Sequence, residues 1–294
     1  MSQSSFTITV SAQTAGKSIE EALRSEWNFG KKQIHLWRMN KAIDLNGQLT
    51  EWKAVLTQGD LVTIRFEEEP PTYLPAKMNF SVLYEDDHLL IANKPPHIDT
   101  HPNHPDASDT LVNGVVHYLQ QKGENGYAQP IHRLDRDTTG TIVFAKHAAI
   151  KPLLDRALED RLIKRVYWAL VHGNVSETSG TINKPIGNDR HHNSRKRVSP
   201  GGQKAVTHFR KIQFNPNLQT SWLELELDTG RTHQIRVHLD SIGHPLVGDT
   251  LYGGKQTPLH QFQALHAVKI SFVHPLTSET IFVEAPDPNK RPRF

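Results

Sequence analysis

Between residues 67 and 79 the chain reads EEEPPTYLPAKMN, three acids followed by three prolines within nine positions. Proline has no N–H to donate and clashes with the preceding helical turn. Neither a helix nor a central strand can therefore run through this stretch. The break splits the chain into two folding segments. We read 1–66 as a small domain, 67–79 as a linker and 80–294 as a larger domain. No internal repeat is visible.

Period-two alternation marks the strands and 3.6-residue spacing the helices. Before the break, SFTITV and LVTIRF read as strands, SIEEALRS as a short helix capped by Ser18, and Asn46-Gly47 as a hairpin turn. Lys31 to Lys41 is a basic helix candidate, with Lys31, Lys32, Arg38 and Lys41 charged. After the break, FSVLYEDDHLLIANKP suggests two strands around Asp86-Asp87. Thr110 to Gln121 and Ala148 to Arg161 read as helices, the first with Thr110 as cap. GTIVFAK, VYWALVHG, Lys204 to Gln213, Ser221 to Asp228, ALHAVKISFVHP and TIFVEAP read as strands. RTHQIRVHLDSIG is expected to be a helix capped by Thr232 and stopped by Gly243. Strands mostly follow strands, so the fold class is α+β with a mixed or antiparallel sheet.

Composition narrows the chemistry. Apolar residues are 36% and charged residues 22%, enough for a packed core. Cysteine is absent, which excludes disulfides, thiolate catalysis and Cys-based metal sites. No apolar run approaches the ~20 residues of a membrane helix, and the N-terminus lacks signal-peptide character. No membrane partner and a cytoplasmic location are expected. The net charge is only +3, yet Lys184 to Lys211 holds eight Lys/Arg against one acid, Asp189. With Gly187, Gly201, Gly202, Pro185 and Pro200 this stretch reads as a basic loop. It is either a polyanion-binding surface or a solvated charge run.

Chemistry concentrates in two places. In PIHRLDRDTTG, His132, Arg133, Asp135, Arg136, Asp137, Thr138 and Thr139 crowd before a hydrophobic strand. An aspartate flanked by arginines is held ionised, as a nucleophile or general base requires; an ion-paired structural loop is the alternative. In DTGRTHQIRVHL, Arg231 follows a tight turn and suits a carboxylate or phosphate clamp. His233 and His238 are five apart and off one helical face, which disfavours a metal pair. HPNHP, His101 to Pro105, reads as a loop. No GxGxxG, GxxxxGK[ST] or HExxH occurs.

HRLDRDTTG resembles the signature of the RluA-type RNA pseudouridine synthases. IANKPPHIDTHPN, KRVYWALVHG, TGRTHQIRVHL, IGHPLVGDTLYGG and LHAVKISFVHP follow that family's order, from about Phe80 to Pro286. Residues 1–66 resemble, more loosely, a ribosomal-protein-S-four-like RNA-binding domain, through the basic helix, Asn46-Gly47 and Gly59-Asp60. KSIEEAL stands where that domain usually opens with arginine–leucine–aspartate.

The resemblance implies a pseudouridine synthase fold: a mixed, largely antiparallel sheet flanked by helices, preceded by a small α/β RNA-binding domain. It implies isomerisation of uridine in ribosomal or transfer RNA, without cofactor or metal. Asp135 would be the catalytic aspartate, acting on the ribose by direct attack or by assisting glycal formation. Arg231 would pair with Asp135. Tyr167 would pack on the base and could serve in the final proton removal from carbon 5. Arg133 would fill the space left by the flipped uridine. Leu265 would form a further wall, and His132 and Thr138 would complete the substrate site. RNA would also meet Lys31, Lys32, Arg38, Lys41, Arg195, Lys196 and Arg197. The expected partner is structured RNA and the expected state a monomer. The rivals are a binding protein that has kept the fold without activity, and a glycosylase or glycosidase using the same aspartate.

Overall fold

The computed structural model describes residues 3–104 and 106–286. Pro105 of HPNHP and the last residues of the expected larger domain, 287–294, lie outside them.

The N-terminal segment forms a four-stranded antiparallel sheet from β1 (Gln3–Thr9), β2 (Ile43–Leu45), β3 (Gln48–Leu49) and β4 (Leu61–Glu67), in the order β1-β4-β2-β3. Alternate side chains point inward, so Phe6 and Ile8, opposite Ile64 and Val62, are buried. Asn46 and Gly47 have φ of 51° and 80°, the left-handed pair that a two-residue hairpin requires. Helix α1 (Ile19–Glu21) begins with the expected cap. Ser18 and Glu21 form a capping box, and the helix runs into a π-helical turn over Ala22–Glu26. Helix α2 (Lys31–Met39) buries Ile34 and Trp37, one turn apart, and leaves Lys31 and Lys32 exposed.

The larger sheet contains β5 (Ser81–Glu85), β6 (Leu89–Lys94), β7 (Gln129–Pro130), β8 (Thr139–Ala145), β9 (Lys164–His172), β10 (Ser179–Asn183), β13 (Val206–Asn215), β14 (Thr220–Leu227), β15 (Leu265–Val273) and β16 (Thr280–Glu284). Its main order is β10-β13-β14-β9-β15-β8-β6-β5. Every neighbouring pair is antiparallel except β15 and β8, which run parallel through His266–Thr139 and Ala267–Gly140. Gly140 has a φ of 110°, and a Cβ there would stand 2.2 Å from the Ala267 carbonyl oxygen. Only glycine permits this seam.

Helices cover both faces of the large sheet. Leu89 and Ile91 of β6 face α4 (Lys151–Glu159) and the small sheet, while Leu90 and Ala92 face α3 (Leu111–Gln121) and α5 (Gln234–Asp240). Burial on both sides explains why LLIA is apolar throughout. Thr110 caps α3 in a capping box with Asn113.

Two expectations are corrected, on the basic stretch and on the cap of α5, and the linker stretch 67–79 packs against α3. The Asn113 side chain donates to the Leu74 carbonyl, Ala76 N–H donates to the Asn113 carbonyl, and Met78 lies against Gly114. One apolar cluster joins Phe6 and Trp37 to Val143, Ile270 and Leu276, so the two sheets share a core. The basic stretch is not all loop: β11 (Ile186–Asn188) and β12 (Lys196–Val198) make a hairpin before β13. Thr232 does not cap α5. His233 sits at that position with a left-handed φ of 58°, and the Gln234 side chain accepts from Arg231 N–H and the Thr229 hydroxyl instead. Gly243, at φ 83°, does end that helical region.

Candidate active site

Asp135 lies in the turn entering β8, which Thr138 N–H closes by donating to the Asp135 carbonyl at 3.0 Å. Two buried side chains tie the backbone on either side of it. Thr100 Oγ1 donates to the Leu134 carbonyl at 3.0 Å and accepts Leu134 N–H at 3.1 Å. Lys94, fully buried at the end of β6, donates to the carbonyls of Arg136 and Ile98 at 2.7 Å and of Pro95 at 3.1 Å. Burial pushes the Lys94 pKa down to about 8, against the pull of Asp137, Asp135 and Asp99. A carboxylate anchored at the preceding and following residues is aimed before substrate arrives.

The partner of that carboxylate is Arg236 on α5. Its Nη1 donates to Asp135 Oδ2 at 3.3 Å. Its Nε and Nη2 bind the two oxygens of Asp249 at 2.7 and 2.9 Å, a bidentate fork that fixes the guanidinium plane. Burial opposes the charge of Arg236. The Asp249 hydrogen bonds and the charges of Asp249 and Asp135 outweigh it and push its pKa up. His233 Nε2 stands 4.0 Å from Asp135 Oδ2, and its Nδ1 shares a 2.9 Å hydrogen bond with the Tyr252 hydroxyl. Burial lowers the His233 pKa, so the ring is predominantly neutral at neutral pH. The left-handed backbone at His233 turns it toward this group.

A cleft of about 590 Å³ opens above Asp135, a size that holds a small ligand. Tyr167, on β9 opposite Leu225 and Ala267, and Leu265, first residue of β15, form apolar walls. Burial raises the Tyr167 pKa, and the charge of Arg165 beside it acts the other way. Arg133 is exposed on the rim. Thr138 is buried in the lining, and its hydroxyl has no hydrogen-bond partner among the described residues. His132 accepts Val143 N–H at 3.4 Å; burial pushes its pKa down to about 3, which makes it a neutral part of the wall.

The expected Arg231–Asp135 pair is not formed. Arg231 Nε donates to the Lys204 carbonyl at 3.2 Å, and the side chain is exposed on the outer lip of the cleft. The turn at Thr229 to Gln234 directs Arg231 outward and Arg236, further along, inward. Sequence reasoning missed Arg236. It sits in the run Gln234 to Leu239, every member of which is buried, and a buried arginine requires an acidic partner. Asp249 and Lys94 carried no such local signal.

The expected RNA-contact residues divide. Lys31, Lys32, Lys41 and Arg197 are exposed. Arg38 pairs with Glu20 at 2.6 Å and lies 4.6 Å over Trp52. Arg195 pairs with Asp240 at 3.4 Å and lies 5.1 Å over Tyr252, a packing role. Lys196 Nζ donates to Asn188 Oδ1.

A fixed carboxylate beneath a slot with apolar walls from Tyr167 and Leu265, and with arginines along its rim, suits an enzyme that acts on the sugar–base unit of a nucleic acid. Residues 88–241 match the family described as RNA pseudouridylate synthase. Residues 6–62 match the N-terminal domain of the RluD ribosomal pseudouridine synthase. The chain is 44% identical to the uncharacterized RNA pseudouridine synthase YhcT of Bacillus subtilis, over 96% of this chain and 93% of that one. It is 34% identical to the ribosomal large subunit pseudouridine synthase D of Vibrio cholerae, over 98% and 93%. Among solved structures, human RNA pseudouridylate synthase domain containing 1 superposes with a TM-score of 0.58 at 26% identity, covering 71% of this chain and 84% of that one. The chain belongs to the RNA pseudouridine synthase family and is an RNA-modifying isomerase.

Proposed function

We propose that the protein isomerises uridines in large-subunit ribosomal RNA, with Asp135 as the catalytic carboxylate. The observation that carries the assignment is the anchored Asp135–Arg236 pair at the floor of a slot walled by Tyr167 and Leu265. A paired, stacked uridine hides its glycosidic carbon, so the nucleotide must flip into the slot. Arg133, on the rim, fills the space it leaves. Asp135 then acts on the ribose, by attack on the anomeric carbon or by assisting glycal formation. Uracil is released, turns between the apolar walls and rejoins through carbon 5. That carbon loses a proton and the ring nitrogen gains one, so RNA mass is unchanged. The Thr138 hydroxyl is free to hydrogen-bond substrate. Tyr167 packs on the base. Its raised pKa keeps the phenol protonated at neutral pH, which favours a packing role over that of a base.

The ribosomal assignment rests on the N-terminal match and on the relatives named for the large subunit. The small sheet and α2 serve as an RNA-binding unit, with Lys31, Lys32 and Lys41 outward. The enzyme works as a monomer in the cytoplasm. Carbodiimide mapping of pseudouridines in ribosomal and transfer RNA, with and without the gene, tests the substrate. Loss of large-subunit sites on deletion is expected; loss confined to transfer RNA would reassign it.

A further inference from the structure

A second cavity, of about 430 Å³, lies beside the active-site cleft, and Arg231 and Thr232 line both. Its remaining walls come from the β11–β12 hairpin and the loop after it, including Asn188, Lys196, Gly201 and Gly202. Two cations face it, and no carboxylate is among its lining residues. The main cleft, in contrast, is lined by Asp135, Asp155, Glu159 and Asp228 as well as by arginines. Both linings are net positive, but only in the second cavity is there no carboxylate to compete with a phosphate for the cations.

The cavity is built rather than incidental. Asn188 and Lys196 are register partners across the hairpin and share a face. The hydrogen bond from Lys196 Nζ to Asn188 Oδ1 holds the ammonium there. Gly202 packs on hairpin backbone, where a Cβ would stand 2.4 Å from the Ile186 carbonyl carbon. Lys196 N–H donates to the Tyr252 hydroxyl at 2.9 Å, the same hydroxyl that meets His233 beside Asp135. The hairpin is thus fastened to the catalytic group. Arg231 uses Nε on the Lys204 carbonyl and has no acidic partner among the described residues, which leaves its terminal nitrogens for a ligand.

We propose that this cavity is a flanking-phosphate subsite, in which Arg231 and Lys196 hold one backbone phosphate next to the flipped uridine. The subsite rests on the reading that RNA enters the main cleft. It fixes the register of the strand and thereby which uridine reaches Asp135. Arg231 here is a positioning residue that does not touch the reacting atoms, and Arg197, on the opposite face of the hairpin, is not part of it.

The test uses the full chain and a short synthetic single-stranded RNA with one uridine. In a set of otherwise identical strands, one phosphate at a time near the uridine is replaced by a neutral methylphosphonate. Binding is read by fluorescence anisotropy. The wild type should lose roughly tenfold or more in affinity at one linkage. The Arg231→Ala/Lys196→Ala protein should lose little at that linkage and retain the wild-type response at the others. Its slope of log affinity against log salt should fall by ~0.7, the share of one single-strand phosphate. Circular dichroism establishes that the variant is folded. An equal loss in both proteins at every linkage overturns the subsite while leaving the RNA reading intact. Failure of the wild type to bind either these strands or ribosomal RNA overturns that reading itself.

Discussion

Arg231 and Arg236 are five positions apart, and they do different things because one is exposed and the other buried. Arg236 holds two carboxylates, and Asp249 is only 2% exposed. Removing the guanidinium leaves that aspartate buried without its partner, a loss of about 3 kcal/mol or more. Arg236→Met is therefore expected to lower both stability and turnover, read by urea unfolding and by initial rates. Arg231→Ala is expected to keep its stability and to raise KM more than it lowers kcat. If Arg231→Ala instead abolishes kcat at saturating RNA while Arg236→Met is active, the pairing is misassigned. The sequence motif TGRTHQIRVHL contains both arginines, and their spacing alone does not decide which one reaches Asp135. The decision is made by the left-handed backbone at His233 and by the return of the Gln234 side chain to Arg231 N–H. Both are local conformations that periodicity does not encode.

At the scale of elements, the β8–β15 seam positions the site, because Asp135 precedes one strand and Leu265 begins the other. Gly140→Ala places a methyl against the Ala267 backbone at a φ of 110°. It should cost well over ~1 kcal/mol and disturb the Asp135 turn, visible as a lower Tm and slower turnover together. A second element-level prediction concerns the contact between the sheets. Phe6 stacks on His147 with ring centroids 5.8 Å apart, and His147 Nε2 meets His88 Nδ1 at 3.0 Å. Burial lowers His147 to about 3 and His274, beside Asp86 and His88, to about 4. The folded pKa values lie below the ordinary 6.5, so the unfolded chain takes up protons first as pH falls. Stability is full above about pH 6.5 and is lost as pH drops, down to about 4 for His274 and about 3 for His147, by ~1.4 kcal/mol per pH unit for each histidine. Urea midpoints measured from pH 7 to pH 5 check this, and His147→Gln should flatten the dependence by one proton's share. A dependence unchanged by that substitution would place the titration elsewhere.

Across the whole molecule, the strand and helix pattern was largely legible, because alternation and amphipathic spacing are properties of short windows. Ser18, Thr110 and Asn46-Gly47 took the caps and turn that their side chains favour. Long-range facts were not legible. The proline-rich stretch reads as a linker, yet Asn113 and Gly114 of α3 give it a bed, and Phe6 shares an apolar cluster with Val143. The charge excess at Lys184 to Lys211 was visible, but its division was not. Lys184 and Lys211 donate to backbone carbonyls, and Arg195 and Arg210 meet acids, so only part of it faces solvent unpaired. Asp135 stood out in the sequence as a carboxylate among cations, and the fold supplies what the sequence did not show: its anchors Lys94 and Thr100 and its partner Arg236.

We propose Asp135 as the residue that performs the isomerisation, and tritium release from ribosomal RNA labelled at carbon 5 of uridine, comparing the wild type with Asp135→Asn, decides it. The wild type should release tritium without change in RNA mass, and Asp135→Asn should bind the RNA and release none above background. Release by Asp135→Asn at near the wild-type rate would contradict the assignment.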